Sequence, residues 1–441
     1  MQRMVLSLRK FLGLNNLLPD HDLVKKLEFI GRTAHCDTFL LEAENVDITD
    51  EFHIRRRNGF DNKVVGNIHS LWSDGKICLY REGVYLKRLY TNYTPEILRN
   101  NLTDKRIPMV FLSLIDKVYY SDGIDTGVIE NGISRSWGLD SPIHPVITRI
   151  SGVMRGGNYK VALVYIRSNG MMSGSAIPTL TNVINNSALV LTNIPVSNDP
   201  TVAYIDIYIT NPNGDALYLF HSIANGVTTY TINSNVVQAG LPLNTVGLSK
   251  PPVGDMIEYY NGKIYVINGS IAWHSESYAY ELFRLRSNYI QMENPYTLFS
   301  AVKDGIWVSD GKRIYFMQGD NPPFKLLDKA DYGAIKGTAQ KISGDYIGEG
   351  VSNPVIVWAS PSGICVGGDG GSFKNLTDKN YSFPITENGI SFFKQARGIN
   401  QYIIALKNAS DAENINEDSI YINMEGEVDI TLPNFNLNVL G

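Results

Sequence analysis

The chain has 441 residues, of which 44% are hydrophobic and 19% charged, with a net charge of −5 at neutral pH. That length exceeds what a single growing core supports, so several domains or a repeat architecture are expected, and the mild acidity argues against a protein that grips nucleic acid through a basic surface. Cys36, Cys78 and Cys365 are too few and too far apart for a disulfide framework or a Cys-rich zinc site.

No run approaches the roughly 18 apolar residues of a membrane-crossing helix. At the N-terminus, Arg3, Arg9 and Lys10 interrupt the apolar residues, so the segment is not read as a secretion signal. Many Val, Ile and Thr, with 25 Tyr and 16 Phe punctuated by 39 Gly and 19 Pro, favour an all-β chain.

Taken in order, residues 1–30 offer an alternating strand-like run and then a loop, GLNNLLPDHDLV. Phe39 to Val46 and Phe52 to Arg56 read as two strands joined at Ile48-Thr49-Asp50, with a tight turn at Asn58-Gly59. Arg55, Arg56 and Arg57 could bind phosphate or carboxylate. Strand alternation sends Arg56 away from its two neighbours, so surface or inter-subunit pairing is the preferred reading.

From Ile68 a three-strand meander is expected, turning at Asp74-Gly75 and Glu82-Gly83. A second copy from Met109 turns at Asp122-Gly123 and Asn131-Gly132. The stretch between them, NYTPEILRNNLTDKRIP, reads as a connecting loop. After Pro142 and Pro145 the strands lengthen and recur about every ten residues, the spacing of a β-sandwich. Hairpins resume after Pro251-Pro252, with turns at Asn261-Gly262, Asp304-Gly305 and Asp310-Gly311.

The expected architecture is therefore an all-β, β-propeller-like array of antiparallel hairpins and meanders, about five to seven units, with an inserted fibronectin-III- or immunoglobulin-like β-sandwich. Its parts are 1–144, 145–250 (the sandwich) and 251–441. The N-terminal strand is expected to complete the last blade so that no edge stays open. A pair of stacked sandwiches is the alternative.

Ser-Asp-Gly recurs at Ser73-Asp74-Gly75, Ser121-Asp122-Gly123 and Ser309-Asp310-Gly311. It resembles the Asp-box turns of sialidase-type propellers, in which the Asp caps its own hairpin. The histidines are scattered without metal-ligand spacing, and Gly-x-Ser-x-Gly and a phosphate loop are both missing, so no cofactor, metal or catalytic constellation is assigned. Should carboxylates act on a glycosidic bond, Glu276, Glu281 and Glu293 are the first candidates. Tyr259, Tyr260, Tyr278, Tyr280 and Tyr296 could form a sugar or protein platform, with sheet packing the simpler reading. From Ala409 onward there are seven acidic residues and no Lys or Arg, among them Asp411, Glu413, Glu417 and Asp418.

Three stretches together resemble a known family. EAENVDITDEFHIRRRNGF (Glu42 to Phe60), PPVGDMIEYYNGKIYVINGSIAWHSESYAYELF (Pro251 to Phe283) and DGIWVSDGKRIYFMQGDNPP (Asp304 to Pro323) are similar to segments of the tail nozzle or hub proteins, of tail tubular or DNA-stabilisation type, of short-tailed bacteriophages. The run GGNYKVALVYIRSNGMMSGSA is similar to the fibronectin-III-like domain such proteins can carry. The resemblance implies a non-enzymatic virion protein, assembled in the host cytoplasm as a homo-oligomeric ring, usually a hexamer. Its implied partners are portal or adaptor proteins and tail fibres or spikes, with double-stranded DNA passing through unread. Under it, Arg55 to Arg57 and the acidic residues Asp411, Glu413, Glu417 and Asp418 are candidates for an interface or lumen. The competing expectations are a glycan- or receptor-binding tail protein and a propeller glycosidase.

Overall fold

A computed structural model describes all residues except 1–4, 31–32, 42–45, 49–52, 57–62, 104–106, 236–239, 348–352, 384–385, 387, 397–398, 407–416, 424–433 and 436–441. Strand pairing makes the chain all-β, its helical content among the described residues being three short 3₁₀ turns. Six antiparallel meander sheets and one β-sandwich account for most strands.

The repeating unit follows from local chemistry. At Asn261-Gly262 both residues hold positive φ, 43° and 78°, the geometry of the two-residue hairpin turn whose twist matches its strands. Runs of five or six β-branched and aromatic residues then pair on either side. In the fourth meander, Leu298–Val302 and Gly305–Ser309 are buried along their whole length, as are Val355–Ser360 and Gly363–Gly367 in the fifth. Being covered on both faces, these strands read as continuous apolar runs rather than alternating ones.

The contacts divide the chain into two compact units: 1–109 with 267–271 and 291–441, and 110–266 with 272–290. The first unit holds the first meander (Ile68–Ser73, Cys78–Glu82, Tyr85–Leu89, Pro95–Arg99). Its fourth strand lies inside the stretch expected to be a connecting loop. Pro95 is the first residue of an edge strand, where a missing N–H breaks no ladder bond.

The fourth meander adds Ile314–Gln318 and Lys325–Ala330, and the fifth adds Gln340–Ile342 and Phe373–Asn375. They share a core in which Trp307 lies 5.6 Å from Trp358 and 5.0 Å from Phe316. The sixth consists of Gly389–Ala396, Ile399–Leu406, Glu417–Asn423 and Asn434–Phe435.

The N-terminal strand does not complete that last meander. Val5–Leu14 pairs parallel with Thr33–Leu40, which pairs antiparallel with Val24–Ile30, making a separate three-stranded sheet. The sixth meander draws all four strands from residues 389–435, which leaves no vacancy to fill. The N-terminal segment is anchored instead by burial of Leu14 among Val355, Tyr402 and Leu406, and by Asn16, whose amide exchanges hydrogen bonds with the Ser382 backbone at 3.0 and 3.1 Å.

The second unit contains the second meander (Val110–Leu114, Lys117–Ser121, Thr126–Glu130, Ile133–Arg135). It also contains most of the third (Met256–Tyr260, Lys263–Asn268, Ile271–Glu276, Ala279–Phe283). Their shared core sets Trp137 5.1 Å from Tyr119 and 6.3 Å from Phe283.

Between these meanders in sequence runs the sandwich. Val146–Met154, Ser187–Thr192 and Tyr230–Ile232 form one sheet; Thr179–Val183, Gly157–Arg167, Val202–Thr210 and Leu217–Ala224 form the other, in that order. The first six strands take the B, C, C′, E, F and G places of an immunoglobulin-like sandwich. The seventh lies beside E, so the departure from that plan is at the edge of the smaller sheet. Where the chain enters and leaves the module, Ser141 Oγ donates to the Leu248 carbonyl at 2.9 Å and Lys250 pairs with Asp140 at 2.8 Å.

Candidate functional site

In the second unit, charged side chains from three sequence-remote stretches converge on Glu281. Arg135, at the end of the second meander, grips both Glu281 oxygens, Nη2 to Oε1 at 2.7 Å and Nη1 to Oε2 at 3.1 Å. The same guanidinium reaches Glu130 Oε2 at 2.8 and 3.0 Å. Arg167, at the end of a sandwich strand and about 1% exposed, lies 3.9 Å from Glu281 Oε2 and 3.8 Å from Asp199. It donates to the Ser136 and Gly138 carbonyls at 3.1 and 3.2 Å, and the Gly138 N–H donates to Glu281 at 3.2 Å. Asp199 accepts from the Ser136 and Thr201 hydroxyls.

The electrostatics follow from this packing. Burial pulls the Arg135 pKa down, but its hydrogen bonds to the Glu281 and Glu130 carboxylates, with their charges, outweigh it and leave it raised. Arg167 is lowered by burial and by the neighbouring Arg135 charge. Burial pushes the Glu130 and Asp199 carboxyls up, yet Arg135 and Lys117 in one case, and Ser136 and Thr201 in the other, hold both below the usual range. A carboxylate gripped bidentate by one guanidinium and faced by a second is held in a fixed position by both. The cluster is a clamp that ties the sandwich to the meanders within this unit. Arg135, Arg167 and Asp199 carried no signal in the sequence, because their pairing exists only after three distant strands meet.

Of the other carboxylates named from the sequence, Glu276 lies 3.5 Å from Arg284 and accepts from Asn288 at 3.1 Å, and Glu293 is exposed. His274 is buried with Nδ1 3.0 Å from the Ser275 carbonyl, and burial lowers its pKa. No grouping of three metal-ligating side chains occurs among the described residues.

The three Ser-Asp-Gly elements form the self-capped turns their spacing suggests. Asp74 accepts from the N–H groups of Lys76 and Ile77, Asp122 from Ile124 and Asp125, and Asp310 from Lys312 and Arg313, all between 2.6 and 3.1 Å. The serines do a second job. Ser121 Oγ exchanges hydrogen bonds with the Gly254 backbone ahead of the third meander, and Ser309 Oγ accepts from the Ala334 N–H ahead of the fifth. Burial would raise the Asp310 pKa, but the Asn294 amide and the turn N–H groups hold it low. Asp310→Ala is expected to cost about 1–3 kcal/mol. Asp74→Ala, at an exposed turn, should cost less, and urea midpoints of the full chain check the order.

The tyrosines divide. Tyr260 and Tyr296 are buried, the latter edge-on to Phe299 at 5.5 Å. Tyr280 is half-buried and stands edge-on between Tyr119 at 6.5 Å and Tyr259 at 6.1 Å. Tyr278 projects from its turn, 76% exposed. Beside Tyr280 an open cleft of about 350 Å³ is lined by Tyr119, Asp116, Lys117, Glu130 and Asn131.

Arg55 and Arg56 are exposed on the short strand Ile54–Arg56, opposite Asp47 and Val46. Glu417 and Asp418 begin the third strand of the sixth meander. Arg57, Asp411 and Glu413 lie outside the described residues.

No family model and no curated protein matches the chain. Among solved structures, the chain is similar to BBS1N in complex with ARL6DN (12% identity, 80% of this chain and 93% of that one, TM-score 0.30). It is also similar to a computationally designed protein (7%, 83% and 96%, TM-score 0.31) and to PorZ of Porphyromonas gingivalis (10%, 92% and 54%, TM-score 0.23). At these scores the likenesses carry no argument about function, and the fold rests on the strand pairing itself.

Proposed function

We propose that the chain is a structural subunit of a short-tailed phage tail, a nozzle or hub ring of several copies that continues the DNA channel below the portal and serves genome retention and ejection. The observation that carries this reading is the order of parts: meanders to either side of a spliced-in immunoglobulin-like sandwich, with two family-like segments on the meanders that follow it. The turns and the Glu281 clamp fit a wall held in shape, since their polar groups are spent on local backbone and on each other. The acid balance fits as well. Six copies would carry about −30, which repels a passing duplex instead of gripping it. Arg55, Arg56, Glu417 and Asp418 are the positions proposed for neighbouring subunits or the lumen.

The test is made on particles from cells that encode the chain. Mass spectrometry of purified virions is expected to detect it, and images of the tail to place it in a ring around an axial channel. Its absence from virions, or a position away from the tail axis, would overturn the proposal.

A further inference from the structure

We propose that the open cleft of the second unit is a carbohydrate site that takes neutral hexose units. It stands apart from the ring assembly and does not depend on it. Its volume, about 350 Å³, is at the lower end for small-molecule sites. The Tyr280 ring forms one wall, with its orientation fixed by edge-on contacts to Tyr119 and Tyr259, and the Tyr280 carbonyl accepts from the Trp137 indole at 2.9 Å. A tyrosine locked in this way offers an apolar face to the C–H side of a sugar ring at little entropic cost.

Part of the lining is polar and pre-formed. Asp116 and Asn131 sit at the tips of the first and third hairpins of the second meander, next to the cross-strand pair Lys117 and Glu130. That pair is closed, Nζ to Oε1 at 3.0 Å. The Asp116 and Asn131 side chains, in contrast, have no hydrogen-bond or ion-pair partner among the described residues. Positive φ at Ile115 (56°) and Asn131 (53°) sets the backbone of both tips. An unengaged carboxylate accepts from two adjacent hydroxyls, and an unengaged amide both donates and accepts, the demand made by vicinal sugar hydroxyls. With two carboxylates and one ammonium in the lining, the charge disfavours uronic and sialic acids.

The experiment uses the full chain with maltohexaose, cellohexaose, laminarihexaose and mannohexaose, and with a polygalacturonate oligomer as the acidic control. Saturation-transfer NMR and calorimetry are run up to about 1 mM, the weak end of specific affinity. At least one neutral oligomer is expected to bind and the acidic one not. Asp116→Ala and Asn131→Ala should each weaken binding by about tenfold, as one lost hydrogen bond to a charged or amide group does. Tyr280→Ala should remove binding; because that ring is packed, the two hairpin-tip variants keep the test valid if it fails to fold. No neutral oligomer binding, preference for polygalacturonate, or binding indifferent to Asp116→Ala and Asn131→Ala would each overturn the proposal. Ring formation in virions is read separately, so either proposal can fail alone.

Discussion

Glu281→Ala is expected to destabilise the second unit by about 3–5 kcal/mol, because it leaves Arg135 and Arg167 buried without their shared counter-charge. Arg135 retains Glu130 and Arg167 retains Asp199, but both guanidinium groups lose the carboxylate between them. Urea denaturation of the full chain should show an early transition for this unit, and a loss below about 1 kcal/mol would contradict the clamp.

The pH dependence has a definite sign. Glu130 and Asp199 have folded pKa values below the ordinary carboxylate range, so the stability they contribute is complete above about pH 5 and is lost as the pH falls through the lower folded values. Glu130→Gln should flatten part of that acid loss while lowering stability at neutral pH.

Trp307→Ala is expected to cost the first unit about 3–5 kcal/mol. The ring is fully buried, touches Phe316, Trp358 and Phe373, and donates its indole N–H to the Gly368 carbonyl at 3.1 Å. The same contact makes a second substitution informative. A Cβ on Gly367 would stand 2.4 Å from the Trp307 ring, so Gly367→Ala alone should cost about 1–3 kcal/mol through overpacking. In the Trp307→Ala background that penalty should vanish, because the methyl then enters space the indole has left. Equal penalties in both backgrounds would show that the cost of Gly367→Ala does not arise from its contact with Trp307.

What could be read from the sequence was local. Asn261-Gly262, Asp122-Gly123 and Asp310-Gly311 announce hairpins because a positive φ or an Asx hydrogen bond is decided within four residues. The change to longer strands after Pro145 announced the sandwich for the same reason. Pro95–Arg99 was hidden because a proline and charged residues at an edge strand look like a loop. The partner of the N-terminal strand is not legible locally, because a parallel pairing of Val5–Leu14 with Thr33–Leu40 leaves no turn signature. Glu281 was visible as a carboxylate, but its role was not, since it depends on Arg135 and Arg167 approaching from 146 and 114 residues away in sequence. The tyrosine group was legible as sheet packing; that one of them borders a cleft was not.

The stapled doorway to the sandwich, Ser141 against Leu248 and Asp140 against Lys250, has an evolutionary corollary. A module whose two chain ends meet at one doorway behaves as a cassette: segments between them can lengthen, shorten or be exchanged without shifting the register of any meander. The one debt such an exchange leaves is electrostatic. Arg167 and Asp199 travel with the cassette while Glu281 and Arg135 stay behind, so a replacement must bring its own cation to the doorway or dock on an already neutral pair.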